Sequence, residues 1–347
     1  MKVQINARNR AYQFDCASGE KILLAGLRSA VELPYECGSG TCGTCKAKLI
    51  EGEIEDRWPQ APGSKLLKAD QGEFLMCQCV PKGDVAIEVA SFVYGTDPGA
   101  CVPAAFEGRL TDTRSLTHDV MAFSVELDRP MDFDAGQFVL VEAPGVKGFR
   151  GYSMVNFERR TRRLDFVVKR KPGGGFCDWL FDGGARDGAV RMFGPLGKAT
   201  FYPGLAKNVL CIAGGSGIAG MMSILERATQ ENYFRQYKGY VFFGVRTLKD
   251  AFYLDELAAF QRQAAGNLAI TIALSDEEVP AAAAAGHPEL TFDHGMVHDV
   301  AARHMDGKYQ NVRAYLAGPP PSVEAAIRVL LLKAKLTTDN IRYDKFS

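Results

Sequence analysis

Cys37, Cys42 and Cys45 stand in one short segment, with four residues and then two between them, and Cys77 follows after thirty-one more. C-x4-C-x2-C with a distant fourth cysteine is the ligand spacing of a [2Fe–2S] cluster. Two irons and two bridging sulfides take four thiolates, and here three come from a single loop. Gly38, Gly40 and Gly43 let that loop adopt positive φ and bring its N–H groups close to sulfur. Ser39, Thr41 and Thr44 are small enough to leave room. A zinc knuckle asks for two C-x2-C pairs, and only Cys42/Cys45 fits that pattern. A [2Fe–2S] cluster moves one electron at a time, so the expected chemistry includes a one-electron handover.

Glycine-rich turns supply the second kind of chemistry. Arg150-Gly151-Tyr152-Ser153 opens a strand, and alternation puts Arg150 and Tyr152 on one side of it. A cation, an aromatic wall and a hydroxyl from one strand edge suit a flavin and its pyrophosphate. Downstream, Lys171-Pro172-Gly173-Gly174-Gly175 precedes a short helix and could hold a phosphate on backbone N–H groups. Phe193-Gly194-Pro195-Leu196-Gly197 follows in order. A third turn, Gly214-Gly215-Ser216-Gly217, lies between an apolar strand and a helix, where a dinucleotide pyrophosphate can sit. Gly318-Pro319 follows another apolar strand. Arg246 and Asp250 come after the second strand of that unit, one suited to a 2′-phosphate and the other to a ribose 2′-hydroxyl. The pair leans slightly to NADH.

The elements that must position these residues fall into three groups. In residues 1–95, strands at 3–5, 12–14, 45–50 and 85–89 surround one helix, 22–30. Residues 96–104 have the composition of a linker. In 105–204, short strands at 106–110, 119–126, 137–143, 151–155, 163–169 and 189–193, with a single helix at 176–181, predict an antiparallel β-barrel. In 205–347, strands at 208–213, 239–244, 268–274 and 313–317 alternate with helices at 218–229, 253–264, 297–304 and 322–333. That alternation predicts a doubly wound parallel sheet. The segment 276–288 reads as a surface loop.

These motifs, in this order, resemble one family along nearly the whole chain. Its members are the reductase components of multicomponent aromatic-ring and hydrocarbon oxygenases, with a plant-type β-grasp ferredoxin domain, an FAD domain and an NAD domain. The resemblance implies a multidomain α+β and α/β fold. Cys37, Cys42, Cys45 and Cys77 would hold the cluster. Arg150 would hold the FAD pyrophosphate, Tyr152 would pack on the flavin, and Ser153 would bond near its reactive edge. Val168, Lys169, Gly173, Gly174 and Cys177 would complete the flavin site, with Cys177 where many relatives carry Ser or Thr. Gly214, Gly215, Ser216, Gly217, Arg246, Gly318 and Pro319 would bind NADH or NADPH. Ala317 stands where relatives usually carry cysteine near the nicotinamide, and Phe346 is placed like the terminal aromatic that covers the flavin face. The implied activity takes hydride from NAD(P)H onto FAD and passes single electrons through the cluster to a terminal oxygenase or hydroxylase. A deoxysugar-biosynthesis partner, or an electron carrier or sensor without turnover, are the alternatives.

The 347 residues are 47% hydrophobic with a formal net charge of zero, so no nucleic-acid or membrane partner is expected. An N-terminus without an apolar leader and nine cysteines predict a cytoplasmic protein, and a monomer is expected. Cys16, Cys79, Cys101, Cys177 and Cys211 read by default as buried small hydrophobes. His294 and His298 have helical spacing but no third ligand beside them, which favours surface or capping roles. Glu51, Glu53, Glu55 and Asp56 form an acidic strip that is a solvated face or a docking surface.

Overall fold

The computed structural model describes residues 1–182 and 188–345. Alternating burial builds the first unit. Strand β1 (Lys2–Ala7) points Val3 and Ile5 inward and pairs antiparallel with β2 (Ala11–Asp15). After helix α1 (Ile22–Arg28) and the cysteine loop come β3 (Lys46–Glu51), β4 (Ile54–Asp56), β5 (Glu73–Leu75), β6 (Cys79–Pro81) and β7 (Val85–Val89). The sheet order is β2-β1-β7-β3-β5, with β1 and β7 parallel, and β4 pairs with β6 beside it. Helix α1 buries all of its residues but Arg28 and ends two residues earlier than its pattern predicts, because Ala30 takes φ +57°.

The middle unit is a curled antiparallel sheet. Its strands are β8 (Ala104–Ser115), β9 (Val120–Met131), β10 (Phe138–Glu142), β11 (Arg150–Ser153), β12 (Thr161–Lys169) and β13 (Ala189–Leu196), with α2 (Gly175–Phe181) between the last two. The order β11-β10-β13-β8-β9-β12 leaves β11 and β12 at opposite edges. The curl brings those edges together, because the Val155 N–H just past β11 donates to the Asp165 carbonyl of β12 at 2.8 Å. The result is a half-barrel.

The third unit is a six-stranded parallel sheet in the order β17-β16-β15-β14-β18-β19. Its elements are β14 (Asn208–Gly214), α3 (Ile218–Gln230), β15 (Gly239–Val245), α4 (Leu254–Gln263), β16 (Leu268–Leu274), α5 (Ala281–Gly286), β17 (Thr291–His294), α6 (Val297–His304), β18 (Val312–Gly318), α7 (Pro320–Leu332) and β19 (Ile341–Lys345). Segment 276–288 is therefore corrected from a bare loop to one carrying α5, whose alanines favour helix. Strands β17 and β19 are new; both lie on sheet edges and expose much of their surface, so no apolar run announces them.

The half-barrel is the hub. Phe138, Leu140, Phe193 and Leu196 on one side join the core of the cluster-bearing unit, while Val139, Phe201 and other barrel residues share a core with β14 and α3. Arg227 on α3, almost fully buried, donates to Asp134 at 2.8 Å and to the Phe201 carbonyl at 2.7 Å. No described helix is long and apolar enough to cross a membrane. Cys16, Cys79 and Cys211 are buried as expected; Cys101, in the segment before β8, and Cys177, on the cavity wall, are only half-buried.

Near the chain's end the three units meet. Asp344 of β19 lies close to Gly197 of the barrel and senses Glu36 of the cysteine loop. Burial first, then the Glu36 charge, pushes its carboxyl up to about 7. In the unfolded chain it ionises near pH ~4. The folded protein alone therefore keeps that proton between about pH 4 and 7. The contribution to stability is complete below that window and is lost as pH rises through it. Asp344→Asn should gain in Tm over the parent as pH goes from about 5 to about 8. A constant Tm difference across that range in calorimetry would show a carboxylate that is already ionised.

Candidate functional site

The loop after α1 brings the four cysteines together as two pairs. All four are free thiols; Cys37 and Cys42 share a hydrogen bond, as do Cys45 and Cys77. A two-iron cluster takes two thiolates per iron, so the donor set fits it. The N–H groups of Ser39 and Thr41 each donate to Cys37 Sγ at 3.4 Å, and that of Thr44 donates to Cys42 Sγ at 3.5 Å. The bond to Cys42, then those from Thr41 and Ser39, pull the Cys37 thiol below its ordinary range against the opposing effect of burial. The thiolate is the form that binds iron. Positive φ at Gly38, Gly40 and Gly43 permits the wrap. Cys37, Cys45 and Cys77 are buried, whereas Cys42 is half-buried. In the acidic strip, Glu55 pairs with Arg57 at 2.9 Å and Asp56 accepts the Trp58 N–H at 2.8 Å; Glu51, Glu53 and Asp56 are exposed.

A cavity of about 670 Å³ adjoins this loop. Arg150, Tyr152, Ser153, Val168, Lys169, Gly173, Gly174 and Cys177 line it from the barrel. Gly214, Gly215, Ser216, Gly217, Arg246, Gly318 and Pro319 line it from the parallel sheet. Phe346 lies outside the described residues. Tyr152 is held edge-on to Phe123, 5.8 Å between ring centres, and 5.0 Å from Phe176. Burial, then the nearby Cys177 thiol, holds its phenol well above the usual range, so it is a neutral wall. Cys177 Sγ donates to the Lys169 carbonyl at 3.6 Å, so the thiol keeps a weak donor role at that position. Gly173, at φ +74°, and Gly215, at φ +53°, have nothing within 4 Å of where a side chain would start. That open, backbone-lined space suits phosphate groups.

The turn after β14 is tighter. A Cβ on Gly217 would stand 2.5 Å from the carbonyl carbon and oxygen of Ala317. Residue 317 is thus packed beneath the turn, while Gly318 and Pro319 form its rim. Gly217→Ala should cost roughly 1–3 kcal/mol by overpacking and raise KM for NADH about tenfold, with flavin content intact. An unchanged KM in steady-state assays would mean that the coenzyme does not use this turn.

Across the cavity, Lys169 pairs with Asp119 at 3.1 Å, and Arg246 lies 3.8 Å from both Asp119 and Asp250. Asp250 is 4% exposed. Its Oδ2 accepts from the Thr247 N–H and hydroxyl, but its Oδ1 has no hydrogen-bond partner. Burial would raise this carboxyl, yet the Thr247 bonds and the Arg246 and Lys169 charges outweigh it and hold the group below its ordinary value.

Three family matches tile the chain: a 2Fe-2S iron-sulfur cluster binding domain over residues 5–82, an oxidoreductase FAD-binding domain over 107–201 and an oxidoreductase NAD-binding domain over 211–328. A ferredoxin–NAD(P)+ reductase of Metapseudomonas resinovorans is 33% identical over 336 residues, covering 95% of this chain and 96% of the relative. The chain belongs to the ferredoxin–NAD(P)+ reductase family. The ferredoxin–NAD+ reductase component of the Xanthobacter autotrophicus alkene monooxygenase system is 30% identical, covering 97% and 99%. The structure of a ferredoxin reductase in carbazole 1,9a-dioxygenase matches with a TM-score of 0.82 at 31% identity, covering 100% and 99%.

This reductase also has site residues that motif reading did not find. Trp58, Pro62, Ser39 and Thr41 bring the cysteine-bearing unit to the cavity wall, and the Trp58 ring lies 5.6 Å from the Arg150 guanidinium. Met296 and Val297 also line the cavity. Ser39 and Thr41 belong to the cysteine loop, but nothing in the local sequence marks Trp58, Pro62, Met296 or Val297, since each reaches the cavity through tertiary packing. His294 and His304 are used structurally: His294 Nδ1 meets the Glu277 carbonyl at 2.8 Å, and His304 Nε2 meets Asp293 at 2.9 Å.

Proposed function

We propose that this reductase takes electrons from NADH and delivers them singly to a terminal oxygenase or hydroxylase component. One observation carries the reading: a single cavity is lined by the flavin motif, the coenzyme turn and the cysteine loop. The relatives named above belong to alkene monooxygenase and carbazole dioxygenase systems, which supports an oxygenase as acceptor. Bound FAD supplies the exchange between a two-electron hydride and single electrons, and the cluster carries those electrons one at a time.

The chain's own residues do the rest. Arg150, with the Gly173–Gly174 backbone, neutralises and orients the flavin pyrophosphate. Tyr152 walls the ring, and Ser153 donates near its reactive edge. The turn Gly214–Gly217 at the start of α3 receives the coenzyme pyrophosphate, with Gly318 and Pro319 as the opposite lip. Asp250 Oδ1, which makes no hydrogen bond, accepts from a ribose 2′-hydroxyl; because the Arg246 guanidinium lies 3.8 Å from that same oxygen and offsets its charge, NADH is only slightly preferred. Cys42, the half-buried member of the four, marks where the electron leaves.

The test is cytochrome c reduction by the purified, FAD-loaded protein with NADH and with NADPH, then with a Rieske or di-iron oxygenase as acceptor. Turnover with a higher kcat/KM for NADH and oxygenase reduction are expected. No turnover at full FAD loading would leave only a carrier or sensor.

A further inference from the structure

Lys21, the residue before α1, sits between the cysteine loop and the flavin motif. Its Nζ donates to Gln78 Oε1 at 3.2 Å and lies 5.4 Å from the centre of the Phe149 ring, next to Arg150. Gln78 is 3% exposed and wedged against Gly40, where a Cβ would stand 2.8 Å from Gln78 Nε2. That same Nε2 donates to Cys77 Sγ at 3.5 Å.

A primary amide has a donor end and an acceptor end, and a lysine ammonium only donates. The end of Gln78 that faces Lys21 must therefore be the oxygen, which commits the NH2 to the Cys77 sulfur. The lysine thus decides which way a buried amide points beside a cluster ligand. No described carboxylate forms an ion pair with Lys21. Burial lowers its pKa, and the groups that oppose this are led by Cys77, with Glu142 and Cys45 among them. Its hydrogen-bond acceptor is instead the Gln78 amide that bonds the Cys77 sulfur. Hydrogen bonds to the sulfurs and local charge are what set the potential of such a centre. Each reduction adds a negative charge, and both an N–H···S bond and a nearby cation favour the reduced form.

We propose that Lys21 is a positioning residue for electron transfer: it holds the Gln78 amide on Cys77 and raises the reduction potential of the cluster, easing the electron's passage from the flavin. The proposal rests on Cys77 being a ligand, and visible absorbance reads cluster content separately from potential.

The experiment is an EPR-monitored redox titration of the full-length, FAD-loaded protein and its Lys21→Met, Lys21→Gln, Lys21→Arg and Gln78→Leu variants. In the neutral lysine variants that keep parental cluster absorbance, the potential should fall. The flavin–cluster electron distribution should move about tenfold toward the flavin, which is 59 mV for one electron. Lys21→Arg, which keeps charge and donors, should stay near the parent. Gln78→Leu should shift the same way as Lys21→Met, and adding Lys21→Met to it should shift the potential by less than it does in the parent. An unchanged potential in Lys21→Met would overturn the proposal. So would full additivity with Gln78→Leu, which would assign the effect to charge alone. Loss of the cluster from both neutral variants would overturn it too, because a residue that only orients and tunes leaves the ligands in place.

Discussion

Cys42→Ala should abolish the visible absorbance of the cluster and lower reduction of a protein acceptor at least about a hundredfold, while NADH-dependent reduction of ferricyanide continues at the flavin. The split follows from the architecture. Cys42 pairs with Cys37 in a loop that touches the cavity wall, but the cavity's phosphate-facing turns come from the barrel and the parallel sheet. Losing one thiolate leaves an iron short of a ligand without disturbing β11, the Gly173–Gly174 turn or α3. Cys42 is half-buried, so its replacement leaves less of a void than a change at Cys45 or Cys77, which are 1% and 0% exposed. Loss of both activities together would mean that the cysteine loop is part of the flavin site's own framework.

Arg150→Ala should release FAD. A hydrogen-bonded cation facing a pyrophosphate contributes about 1.5–3 kcal/mol, so affinity should fall roughly 10- to 100-fold and the protein should purify largely colourless in the flavin band. The cluster absorbance should stay, because the cysteine loop is shaped by its own glycines and by N–H bonds to Cys37 and Cys42. The ring of Trp58 lies over the guanidinium, so the same substitution also loosens a contact between the cluster-bearing unit and the barrel. Flavin content equal to the parent's, measured after denaturing extraction, would remove Arg150 from the site.

What the sequence revealed and what it hid divide along chain distance. The cysteine loop, the Arg150–Ser153 strand and the Gly214–Gly217 turn are local patterns, each a few residues long with chemistry written into their order. The structure brings the described members of all three into one place. Strands β17 and β19 were hidden because they are short edge strands whose pairing comes from the sheet, not from their own periodicity. The junctions were hidden for a stronger reason. Tyr35 and Gly197 stand 162 residues apart, yet the Gly197 N–H donates to the Tyr35 hydroxyl at 3.0 Å. Trp58 against Arg150, Lys21 against Phe149 and Asp344 near Gly197 are contacts of the same kind. No spacing rule reaches across them, and they join the three units.

In this reading electrons reach the cluster only by way of the flavin site at Arg150. That route is tested most directly by EPR after anaerobic mixing with NADH. The parent should develop the signal of a reduced [2Fe–2S] cluster. Flavin-free Arg150→Ala, with its cluster intact by absorbance, should show none until FAD is restored at high concentration. An undiminished signal in that flavin-free variant would contradict the claim.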